Sequence, residues 1–412
     1  MIRTMQTIAD SDSAAVALRD LPYPYDAMLA ICSDLDETPS AECYLETSRY
    51  LNTNGRTSFG QGIQLEVGNT IYFHMNEGEF AYWNTTDSAR SAIRDLIRSG
   101  HIDCMHSYGD TATRRSQVAE TLAHLNDHGC RIRVWIDHAV ARTNFGADIM
   151  QGFGDVPGDA AYHADLTLGY GVQYVWRGRV TSMHGQDAPP GIGGIWRPGE
   201  PVGSLVTLGK ESAKICAAVL GSGKYGMHRR NKLLEEVVLR DSQPILEFLR
   251  SNPHPLGVSA GDNAAGLAAA LSDGYLERLA KRRAKAIVYT HLGKQINPRS
   301  GFPAATRIAL EKLAGRMQSR QILVATTERL LDYARLREGV SWTIRDAGDA
   351  REIVLDTPDR GRACDGLSFT VPAGSDYRII RDGTPLQAER AELADAARSV
   401  IYVPWRRLDY GC

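Results

Sequence analysis

The chain of 412 residues has no Cys-x-x-Cys pair and no apolar run near the ~20 residues of a membrane span, and no block of like charge marks a nucleic-acid-binding arm. Its seven cysteines stand apart at positions 32, 43, 104, 130, 216, 364 and 412, an odd and unpatterned set that reads as reduced thiols rather than a disulfide framework. Lysine plus arginine number 47 against 49 aspartates and glutamates, so the formal charge is only -2 and gives no support for a nucleic-acid partner. Met1–Leu21 is polar and lacks the apolar centre of a secretion signal, from which a cytoplasmic location is expected. Phosphate loops are missing too. Gly191-Ile192-Gly193-Gly194 lacks dinucleotide spacing, and Gly221-Ser222-Gly223-Lys224-Tyr225 has neither the upstream glycine nor a hydroxyl residue after its lysine.

What the chain has is alternation. Apolar strands at Ala27–Cys32, Ile63–Leu65, Thr70–His74, Ile102–His106, Arg131–Ile136, Tyr174–Trp176, Ala286–Thr290 and Ile322–Ala325 are interleaved with amphipathic helices. One helix opens at Pro39-Ser40, a second is capped at Asp87-Ser88 and stops at Gly100, and others cover Arg114–His128 and Ala264–Ala284. Repeated strand-helix units predict a parallel sheet, and closing it predicts a barrel whose site lies at the C-terminal ends of the strands. The length exceeds what one core usually fills, so one large domain with an appendage is expected: a barrel over 1–337 with a long insertion around 180–263, and a small antiparallel β domain over 338–412.

Polar residues of one kind follow those strands. Asp34 and Asp36 end the first, and a period of two puts both on one side of the backbone. Close carboxylates repel unless their roles divide, so one (Asp36) is expected to bind a cation while the other (Asp34) stays ionised as a general base. His106, at the end of its strand, and Asp110, four residues on, would complete the metal shell; Asp137-His138 and His291 occupy equivalent strand ends.

The pair Asp34-Leu35-Asp36 and the stretch Gly100-His101…His106…Asp110 resemble the motifs of the polysaccharide deacetylase superfamily, the NodB-homology or carbohydrate esterase family 4 fold. The likeness covers roughly the first three quarters of the chain, with Asp110 where the family has a second histidine. The resemblance implies a distorted (β/α)7-type barrel and a metal-dependent hydrolase that removes an N-acetyl group from a saccharide, in surface polysaccharide or O-antigen biosynthesis. It implies a divalent ion, zinc first and manganese, iron or cobalt next given the aspartate-rich shell. It also implies His291 as the acid and Arg142 as the residue that orients the base, with His138 and Asn144 as substrate contacts. His163, which opens a helix, is a substrate-ligand candidate beside a structural role. Two rival readings stay open: a catalytically silent carbohydrate-binding scaffold, and a metal-dependent hydrolase of another C–N or glycosidic bond.

Overall fold

The protein is described by a computed structural model over residues 16–189, 191–196, 199, 201–348, 350–357, 359 and 361–411. Two compact units emerge, one formed by residues 16–26 with Asp332–Arg407 and the other by Ala27–Leu331 with residues 408–411. The chain therefore changes unit at 26/27, 331/332 and 407/408, where the sequence suggested a single boundary at 337/338.

In the larger unit the main parallel strands are β1 (Ala27–Ser33), β2 (Gly68–Ile71), β3 (Ile102–His106), β4 (Val134–Ile136), β5 (Tyr174–Trp176), β6 (Pro244–Phe248), β7 (Arg250–Ser251), β8 (Lys285–Thr290) and β9 (Ile322–Val324), joined by the short Val180–Thr181 parallel to β7 and by Leu234–Val238 antiparallel to β6. β1 is buried at every residue, as a strand covered on both faces must be. It pairs with β8 along one edge, while its first three residues meet β9 and its last two meet β2. From β2 the ladder runs in parallel through β3, β4, β5 and β6. One residue after β6, β7 pairs with β8, so the stretch 244–251 touches one arm of the sheet at its start and the other at its end. The eleven-stranded sheet is thus strongly curled, in a mixed α/β arrangement compatible with a distorted barrel. Residues 180–263, read as an insertion, supply β6 and β7 to this sheet, and also a 19-residue helix.

Three helices follow the first three strands: α1 (Ala41–Asn52), α2 (Asp87–Arg98) and α3 (Arg115–Asp127). Ser40 caps α1 by accepting from the Cys43 N–H at 3.2 Å. α2 begins one residue earlier than Asp87-Ser88 suggested, because the Thr86 hydroxyl reaches the Ala89 N–H at 3.3 Å. Its Ala89, Ile93, Leu96 and Ile97 fall on one face and enter a core with Phe73, Met105 and Trp135. No strand forms at 63–65: the N–H groups of Ile63 and Leu65 donate instead to the Tyr50 and Leu51 carbonyls at the end of α1. The helix expected over 264–284 is broken into Leu267–Ala270 and Asp273–Lys281, with extended Ser272 restarting it.

The smaller unit holds two four-stranded sheets around a core that includes Ile353, Leu367, Phe369 and Ile379. One sheet takes in the N-terminal strand Ala17–Leu18 beside Ser368–Pro372. In the other, Arg351–Asp356 and Tyr377–Arg381 run parallel, not antiparallel, and Asp382-Gly383 turns the chain into Thr384–Pro385. Among the described residues no helix is long and apolar enough to cross a membrane.

The cap of α2 gives a direct check on this local reading. Thr86→Ala should lower stability by about 1 kcal/mol, whereas Asp87→Ala, which alters a side chain facing solvent beside Arg90, should barely move a matched thermal melt.

Candidate metal centre

The ends of β1, β3, β4 and β8 bring one carboxylate and three imidazoles together. β1 continues its ladder one step past Ser33, the Asp34 N–H donating to the Thr290 carbonyl, and the chain then turns at Glu37, which has φ 56°. Asp34 and Asp36 do face the same side: His106 Nε2 lies 3.0 Å from Asp36 Oδ2 and 3.8 Å from Asp34 Oδ2. His138 Nε2–H donates to Asp36 Oδ1 at 2.5 Å, and His291 Nε2 lies 3.4 Å from Asp36 Oδ2.

Each imidazole is aimed by its own support. After His106 the chain folds back through Gly109, at φ +95°, where a Cβ would meet the His74 carbonyl oxygen at 2.2 Å; only glycine lets Asp110 return to the site. Asp110 Oδ1 then accepts from His138 Nδ1–H at 2.7 Å. Asn144 clamps the His138 backbone, accepting its N–H at 2.9 Å and donating to its carbonyl at 2.7 Å. Beneath that loop the buried Asp137 carboxylate accepts from Trp135 Nε1 and from the Phe145 and Gly146 N–H groups. His291 Nδ1–H donates to the Asp262 carbonyl at 2.6 Å, leaving Nε2 for Asp36. Close by, Gly293 clears Thr38, whose Oγ1 would lie 2.1 Å from a Cβ.

Asp34 is held differently. Both of its oxygens accept from Arg250, at 2.8 Å each, in a pair of which neither side chain is more than 2% exposed. The guanidinium lies 3.9 Å from the Trp176 ring centroid and 4.9 Å from that of Tyr289, so aromatic faces complete its surroundings.

These contacts set the charges. Burial works to raise the Asp36 carboxyl, but His106, by its charge and its hydrogen bond, and then His138 and His291 hold it well below the usual carboxylate range. Burial disfavours a charged His138, yet its bonds to Asp110 and Asp36 push it up to about 10, and Asp36, by its hydrogen bond, and Asp34, by its charge, raise His291 against its burial. At neutral pH His138 thus holds a proton between two carboxylates, where a cation would compete for the Asp36 side.

Among the described residues two overlapping groups could hold a metal ion: Asp36, His106 and His138, and Asp34, Asp36 and His291, each with ligand atoms within 4.8 Å of one another. The first fits better. Asp34 is committed to Arg250, whereas Asp36 and two Nε2 atoms make the three-ligand set that leaves coordination positions open, and Asp110 stands behind His138 as the supporting carboxylate. His106 lacks such support, its Nδ1 being buried with no hydrogen-bond partner.

Several expected site residues have other partners. Asp110, expected as a ligand, bonds His138 at 2.7 Å, and His138, expected as a substrate contact, stands with Asp36 and His106 in a group that could hold a metal ion. Arg142, expected to orient the base, is half exposed and pairs with Asp159 at 3.0 Å; the guanidinium on Asp34 belongs to Arg250. Asn144 supports His138 through its backbone. His163 is buried between Thr167 Oγ1 and the Thr143 carbonyl, 2.8 Å from each, and burial pushes it down to about 4, the signature of a neutral structural histidine. Arg250 left a weaker trace: it follows Ile245–Leu249, which is apolar except for Glu247, much as His291 follows Ile287–Thr290.

The two arginines should separate in denaturant titrations. Arg250→Ala strands a buried carboxylate and should cost about 3–5 kcal/mol, whereas Arg142→Ala removes a half-exposed ion pair and should change stability little.

No family model matches this sequence, and no curated protein does. Among solved structures, the crystal structure of AQ1208 from Aquifex aeolicus is similar at 12% identity, covering 93% of this chain and 76% of that one, with a TM-score of 0.22.

Proposed function

We propose that this protein is a metal-dependent hydrolase that removes an N-acetyl group from a saccharide, a divergent relative of the polysaccharide deacetylases built on a (β/α)7-type barrel. The observation that carries the reading is the convergence of His106, His138 and His291 on Asp36 beside an Asp34 carboxylate locked by Arg250. Asp36, His106 and His138 would hold the ion, zinc being the first choice for two imidazoles and a carboxylate. When bound, a divalent cation polarises the amide carbonyl and lowers the pKa of water.

The remaining steps belong to side chains. Arg250 fixes the plane of the Asp34 carboxylate, while each oxygen keeps a lone pair free. Asp34 accepts the proton of the attacking water. His291 has Nδ1–H tied to the Asp262 carbonyl, so Nε2 is the atom that delivers a proton to the departing amine. Its raised pKa suits an acid that must be charged near neutrality. A cytoplasmic amino-sugar, nucleotide-linked or lipid-linked precursor is the substrate class that goes with this reading.

The test is acetate release from N-acetylated saccharides by metal-loaded protein. Chelator should abolish it, and Asp34→Asn and His291→Ala should each reduce turnover by about 10²–10⁴-fold. Turnover undiminished in Asp34→Asn would remove its role as base. Saccharide binding without hydrolysis under any metal would place the carbohydrate-binding scaffold ahead of the enzyme.

A further inference from the structure

Beside the metal centre lies a cavity of about 260 Å³ that the hydrolytic chemistry does not use. Its lining includes Trp176 and Tyr289, the rings that flank Arg250, and Tyr289 is itself 5.3 Å from His291 between ring centroids. The cavity therefore stands one aromatic layer from both the base and the acid.

Four basic residues line it: Arg179, Lys214, Lys224 and His228. Arg179 is neutralised by Asp148 at 3.1 Å and Glu247 at 3.0 Å, and Lys214 by Glu211 at 2.8 Å. Lys224, partly buried, sits 5.5 Å from the Tyr225 ring centroid and has no carboxylate partner among the described residues. His228 is buried; burial and then the Lys214 charge push its pKa below the ordinary imidazole value. Its Nε2–H donates to the Val180 carbonyl at 3.2 Å, so the neutral ring presents Nδ1 as a bare acceptor, and that atom is buried without a partner. A ligand that satisfies this wall brings an anionic oxygen to Lys224, beside the apolar Ile149 and Met150.

We propose that this cavity is a subsite for an anionic group, phosphate or carboxylate, carried on the saccharide whose amide is hydrolysed at Asp36. The inference rests on the hydrolase reading for its substrate and makes that substrate an acidic saccharide. Its volume sits just below the ~300 Å³ at which small-ligand pockets begin, which suits one charged sugar unit.

Isothermal titration at low salt with N-acetylglucosamine, N-acetylglucosamine 1-phosphate and glucuronic acid tests it. At least one charged ligand should bind about tenfold or more tightly than the neutral sugar, the scale of one charge-assisted hydrogen bond, and lose that margin in high salt. The preference should vanish in Lys224→Ala, return in Lys224→Arg and persist in Asp36→Ala. A phosphate preference over the uronic acid identifies the anion as phosphate, and the reverse as carboxylate. Equal binding of charged and neutral sugars, or a preference that survives Lys224→Ala, overturns the proposal. Because Asp36→Ala abolishes hydrolysis without touching this cavity, failure of the subsite and failure of the hydrolase reading give different results.

Discussion

One carboxylate organises the strand-end rim of the larger unit. Asp36 draws three imidazoles from three different strand ends to within 3.4 Å or less of its oxygens. Each arrives because an apolar strand ends just before it, and a buried strand end must give way to polar residues whose groups find partners. The curl of the sheet then decides which ends meet. β1 lies directly beside β8, which brings Asp36 to His291, while β3 and β4 are neighbours and carry His106 and His138 side by side, ring centroids 4.7 Å apart.

Such an arrangement is electrostatically demanding. Asp34, Asp36 and Asp110 would repel one another if nothing intervened. Two devices separate them: Arg250 takes the whole of Asp34, and the protonated His138 bridges Asp36 and Asp110. A buried Arg–Asp pair contributes little net stability over a well-packed apolar pair, since desolvation opposes its attraction. Its value here is geometric. The bidentate fork, backed by Trp176 and Tyr289, holds one carboxylate in a single orientation next to a second whose partners are all titratable. The same aromatic layer forms a wall of the basic cavity, so the orientation of Asp34 and the shape of that cavity share residues.

Much of this was legible from residues alone, and the failures have physical causes. Asp34, Asp36, His106 and His291 were visible because an apolar run followed by a polar residue marks a strand end, a local pattern. The exchange between Asp110 and His138 was not local: a His-x-x-x-Asp spacing looks like a ligand pair on one loop, and only the β3–β4 pairing shows a histidine from the next loop lying between the two aspartates. Arg250 follows a strand that Glu247 interrupts, and it lay in a segment that the glycines and prolines of 180–201 caused to be read as an insertion. The helix Pro201–Val219 was hidden likewise, since its Gly203 and Gly209 and its exposed Val202, Leu205 and Val206 obscure any polar-apolar stripe. Arg142 was singled out by motif analogy, and in the structure this half-exposed loop arginine pairs with Asp159.

The proposed chemistry requires a cation held by Asp36, His106 and His138, with Asp110 behind. The most direct measurement is zinc affinity and stoichiometry by titration of metal-free wild type, His138→Ala and Asp110→Asn. The account expects one zinc per chain in the wild type with release of a proton, loss of the site in His138→Ala, and affinity weakened by about 10–100-fold in Asp110→Asn. Zinc bound as tightly by His138→Ala as by the wild type, or no zinc in any of the three, would contradict it.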